Sequence, residues 1–122
     1  MTDADVLPPL RTRVRRQAAL WFGLLGGAAA WVLHLNLTYL IVPHTCRWGQ
    51  APWMHLLTLA ALAMAVAATV AGRRVWASGH GHDHRRFLGL AGAALSALFV
   101  LVIAFEGTQV LLIDPCLGVG GR

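Results

Sequence analysis

WVLHLNLTYLIVPHTC, running from Trp31 to Cys46, places His34, Asn36, Thr38 and Tyr39 inside an otherwise apolar run. Polar side chains in such surroundings need hydrogen-bonding partners, because an unpaired donor or acceptor loses the solvation it has in water. The residues before this stretch read as an anchored helix start. Pro43 to Cys46 reads as its exit into a polar loop carrying His44 and a thiol.

The composition says what surrounds it. Of 122 residues, 57% are hydrophobic and 12% charged, far from the balance of a water-soluble domain. Ala18 to Val42, Trp53 to Ala71 and Phe87 to Ile113 are apolar, with Glu106 their single formal charge. Such runs match a hydrocarbon core, which takes about 20 helical residues to cross. Continuous apolar runs do not suit the alternating strands of a β-barrel, so the expected fold is all-α, with three transmembrane helices. The spans are placed at about 18–43, 53–76 and 86–113. They form one transmembrane domain, 18–116, between a basic tail at 1–17 and a short tail at 117–122.

The first ten residues are polar or proline-broken, and Pro8 and Pro9 are read as excluding an earlier helix start. Arg11, Arg13, Arg15 and Arg16 followed by an apolar run imitate a signal peptide, with Ala28 to Ala30 as a cleavage site. Retention is expected, since a cut there would discard half of a span. The pair Arg15 and Arg16 lacks the fuller context of a twin-arginine signal.

Charge is divided unequally between the two membrane faces. Arg73, Arg74, Arg85 and Arg86 in RRVWASGHGHDHRR join the four N-terminal arginines, while the other face receives Arg47 and Arg122. The positive-inside rule predicts an N-in, C-out topology in a bacterial inner membrane, with Trp21, Trp76, Trp48 and Trp53 at the interfaces. The net charge of +5 is therefore a topology signal and not a nucleic-acid footprint. Cys46 and Cys116 then share the oxidising outer face, which predicts a disulfide between them. Closing about 70 residues constrains the unfolded chain by roughly 4 kcal/mol. Two reduced thiols and metal ligation are the alternatives.

His34, Thr58, His55 and Glu106 all fall in the outer half of the membrane by helical rise. An intramembrane carboxylate is costly and turns toward a bundle interior or cavity. The expected polar network pairs Glu106 with His34 and adds Asn36, Thr38, Thr108 and Gln109. Thr38 shares the face of His34, whereas Asn36 points elsewhere, toward a partner outside the chain or a water-filled pocket. A structural network is preferred over contact with another subunit and over proton or metal chemistry. Gly23, Gly27, Gly89, Gly92 and Ser96 permit close approach of the first and third spans.

His34 and His55 resemble an axial haem pair, but three helices are small for a haem and no CxxCH motif exists. His44 and His55, beside the cysteines, would suit copper. His80, His82 and His84 with Asp83 could clasp a divalent ion, against the plainer reading of a solvated glycine-containing loop. No cofactor and no metal is expected. Nothing sets a nucleophile beside a base, and one membrane carboxylate makes no acid–base pair, so an enzyme is not expected.

LHLNLTYLIVPHTC ending the first span, HLLTLAALA opening the second, and LLIDPC after the polar end of the third together resemble small three-span bacterial membrane proteins associated with haem-copper terminal oxidases. That resemblance covers most of the chain. It implies a non-catalytic accessory or assembly subunit of a respiratory complex, partnered by its other subunits and the lipid bilayer, without redox centres of its own. The alternative is an oligomeric small transporter or a metal- or haem-handling membrane protein.

Overall fold

Three helices, α1 (Asp3–Trp48), α2 (Pro52–Ala77) and α3 (Asp83–Leu112), run up, down and up, each touching the other two. The computed structural model describes residues 3–48, 52–78, 83–113 and 116. All three helices are long and apolar enough to cross a membrane. At 1.5 Å per residue, even α2 with its 26 residues extends about 39 Å, beyond the roughly 30 Å of a hydrocarbon core. The outward surface carries Trp21, Leu25, Leu33, Leu59, Phe87, Leu101 and Phe105 well exposed, a coat suited to lipid. The fold is a three-span membrane bundle.

Its interior is built from small residues. On α2 the buried positions are Met54, Ala61, Ala65, Ala68, Gly72 and Val75, and half-buried Thr58 completes a strict alternation of four and three residues. On α3, Gly89, Gly92, Ser96 and Ile103 repeat the same seven-residue period. Lipid chains are as apolar as leucine, so such helices gain from close van der Waals contact, which small side chains allow. A Cβ on Gly72 would lie 2.7 Å from the backbone nitrogen of Ala93, and one on Gly92 would lie 2.9 Å from the Gly23 carbonyl oxygen. Backbone meets backbone here. Ser96, fully buried, donates to the Gly23 carbonyl at 2.8 Å and ties α3 to α1.

Three boundaries differ from those read in the sequence. α1 begins at Asp3 and passes through Pro8 and Pro9. Each proline removes one i→i−4 bond, but those bonds end on Ala4 and Asp5, in the first turn of the helix, where only these two carbonyls lose a donor and the rest of the ladder is untouched. At the other end α1 continues through Pro43 to Trp48, so Cys46 is helical and not in a loop. Pro43 withdraws the donor for one carbonyl, that of Tyr39, and the helix continues past it, with His44 Nδ1 donating to the Leu40 carbonyl at 3.2 Å and Thr45 Oγ1 to that of Val42 at 2.9 Å. The long second loop is also mostly helix, with Arg73 and Arg74 on α2 and His84, Arg85 and Arg86 on α3. Predicted metal candidates His80 and His82, and the tail at 117–122, lie outside the described residues.

Cys46 and Cys116 form a disulfide that joins the end of α1 to the residues after α3, with a Cα separation of 5.6 Å. It occupies the end of the bundle opposite the eight clustered arginines, as the up–down–up order requires.

Candidate functional site

Three helices bring polar side chains to one level of the bundle. Trp31 and His34 share a face of α1 because three residues advance a helix by nearly one turn. Thr58 faces them from α2, and Glu106 from α3. His34 is 6% exposed, whereas the Glu106 side chain keeps 28% of its surface open. Gly107 makes room at this level, since a Cβ there would lie 2.8 Å from Thr58 Cγ2.

The hydrogen bonds fix the roles of the atoms. Thr58 Oγ1 donates to the Met54 carbonyl at 3.0 Å, which uses its single proton. Thr58 therefore accepts from His34 Nε2 at 3.0 Å, and Nε2 carries a hydrogen. Across the ring, His34 Nδ1 faces Glu106 Oε2 at 3.4 Å. Neither of these two buried atoms makes a hydrogen bond among the described residues, so this contact is the closest either has to a polar partner. A bare imidazole nitrogen and an ionised carboxylate oxygen are both acceptors, so the contact is attractive only with a proton between them. One proton in that gap, on either group, leaves the pair neutral overall. That is the arrangement a low-dielectric interior favours. The other carboxyl oxygen, Oε1, accepts from Trp31 Nε1 at 3.1 Å, and the Trp31 ring lies tilted against Phe99 with centroids 5.6 Å apart.

Of the predicted network, the structure brings together His34 and Glu106. Thr38 turns back, donating to the His34 carbonyl at 2.7 Å, and Thr108 does the same to Ala104 at 2.8 Å. Asn36 and Gln109 are exposed on the outside of the bundle. Asn36 Nδ2 donates to the Val32 carbonyl at 2.7 Å. Trp31 is the member that sequence reasoning missed. Its signal was present: an indole N–H in mid-span must find an acceptor, and position 31 shares a face with position 34.

The described metal candidates do not converge. His44, His55 and His84 are exposed, and both sulfurs are in the disulfide. Among the described residues no three His, Cys, Asp or Glu side chains gather as a ligand set. The features together define a three-span helical membrane protein with a histidine–carboxyl pair clamped between its helices. No protein-family model, curated protein or solved structure matches this chain.

Proposed function

We propose that this chain is a non-catalytic accessory or assembly subunit of a bacterial inner-membrane respiratory complex, a haem-copper oxidase by the resemblance above, inserted N-in and C-out. The observation that carries the reading is Asn36. At 100° per residue it is turned about 160° from His34, so it faces directly away from the bundle. It shares that outward stripe with Val32 and with Tyr39, which is 78% exposed. Its amide gives one hydrogen to the Val32 carbonyl, and the carboxamide oxygen and second hydrogen remain available. In hydrocarbon those groups favour a polar partner on another helix. The interior, by contrast, is closed by helices packed so tightly that a Cβ added at Gly72 or Gly92 would fall 2.7–2.9 Å from the facing backbone, which suits a scaffold better than a conduit.

Purification in a mild detergent, with identification of co-migrating proteins, tests this. Subunits of a terminal oxidase should accompany the native chain. Asn36→Leu should release them while its helical circular dichroism and disulfide persist. A native chain that migrates only with copies of itself defeats the proposal, and bound copper or a haem absorbance in that sample would favour a metal- or haem-handling protein.

A further inference from the structure

We infer that the arginine-rich end of the bundle holds a binding site for the phosphate of an anionic phospholipid headgroup. Arg15 and Arg16 from α1, Arg74 from α2 and Arg85 from α3 line one recess of about 190 Å³, floored by Ala19 and Val75. Arg85 is half-buried there, and Val75 is buried. Four arginines from three helices gathered at one recess concentrate positive charge that an anion would offset. Among the described residues none of the four lies within 4.0 Å of a carboxylate, although Asp83 stands two positions before Arg85.

Topology alone does not account for the convergence. The positive-inside rule requires arginines at this end, and Arg11, Arg13, Arg73 and Arg86 satisfy it from outside the recess. The chain has ten basic residues, all arginine, and a planar guanidinium offers forked donors that match phosphate oxygens. The recess also stands where Ala18 begins the apolar run of α1, at the depth of lipid headgroups, and basic pockets between helices at that depth suit anionic lipids. Its apolar floor suits the glycerol and first methylenes of a lipid. A zwitterionic lipid carries the same phosphate with its charge already compensated, so it gains less here.

Native mass spectrometry of the full chain in detergent, titrated separately with phosphatidylglycerol, phosphatidylcholine and inorganic phosphate, provides the test. Phosphatidylglycerol should be retained in preference to phosphatidylcholine. R15Q/R74Q/R85Q should weaken its binding on the order of a hundredfold, a factor of about five per arginine. R11Q/R13Q/R73Q removes equal charge outside the recess and should leave binding nearly unchanged. Should the glutamine variant fail to insert, R15K/R74K/R85K keeps every charge, and its retention of phosphatidylglycerol should still fall because lysine lacks the fork. Equal losses in the two glutamine variants, or unchanged binding in the lysine variant, would overturn the site. Binding of inorganic phosphate without phosphatidylglycerol would overturn the lipid as its ligand.

Discussion

Glu106 is the residue at which charge and hydrogen bonding can be separated. One proton in the gap to His34 leaves the pair neutral overall, and substitution of Glu106 tells on which group it rests: held by the carboxyl, it makes the carboxyl necessary for its two contacts and not for a formal charge. Glu106→Gln keeps an acceptor for Trp31 Nε1 and offers an N–H to His34 Nδ1, so its cost should stay within about 1 kcal/mol. Glu106→Ala leaves the indole donor and the imidazole nitrogen both unpaired. It should lose about 1–3 kcal/mol, the usual penalty for stranding a buried polar group. Reversible unfolding in mixed micelles, followed by Trp fluorescence, measures both variants. If Gln proves as damaging as Ala, the proton rests on His34 and the contact is an ion pair with an ionised Glu106. A second test concerns Gly107. Gly107→Ala would drive its Cβ into Thr58 Cγ2 and so disturb both Thr58 hydrogen bonds, at a cost of about 1–3 kcal/mol. Adding Thr58→Ser removes that methyl and keeps the hydroxyl, and the double variant should recover most of the loss.

Between elements, the distance of closest approach is set by glycine. Gly72 on α2 presses against α3 where a Cβ would meet the Ala93 nitrogen at 2.7 Å and the Gly89 carbonyl oxygen at 2.9 Å. Those atoms are backbone, which cannot rotate aside. Gly72→Ala should therefore destabilise the bundle: overpacking costs about 1–3 kcal/mol, and the better helix propensity of alanine returns at most about 1. The same micelle unfolding curves would show it, and a neutral or stabilising result would mean that α2 and α3 are further apart. Much of this architecture was legible in the sequence. The three apolar runs, the shared face of the cysteines, and the pairing of His34 with Glu106 each rest on a strong contrast between polar and apolar chemistry. The small-residue face of α1 and α3 was partly legible, through Gly23, Gly27, Gly89, Gly92 and Ser96. The seam of α2 was not, because alanines surround the whole helix and the buried ones differ from the lipid-facing ones in position alone. Pro43 misled for another reason. A proline removes one i→i−4 bond, here the one to the Tyr39 carbonyl, and that single loss does not end a helix held by its neighbours on both sides.

At the scale of the whole molecule, two clamps flank the polar site, where Trp31 and His34 of α1 already meet Glu106 of α3, and hold those helices together on either side of it. Cys46 follows His34 by 12 residues, which places the disulfide about 18 Å along the helix from the polar site. The glycine–serine contact of Gly23 and Gly27 with Gly92 and Ser96 lies on the other side of that site. Removing the disulfide should therefore loosen the cysteine-bearing ends of α1 and α3 and leave the arginine-bearing ends together. The chain-entropy value of about 4 kcal/mol for a closure of 70 residues is a ceiling here. It assumes an unfolded chain free in three dimensions, whereas separated helices stay inserted and oriented in the membrane, so less freedom is regained. C46S/C116S should thus lose less than about 4 kcal/mol and keep its full helix content. Spin labels at Ile41 and Leu111 should report a wider distance in that variant, while labels at Val14 and Arg86 should not. A uniform widening at both ends would mean that the small-residue contact is too weak to hold the helices and that the disulfide is the main tie between α1 and α3.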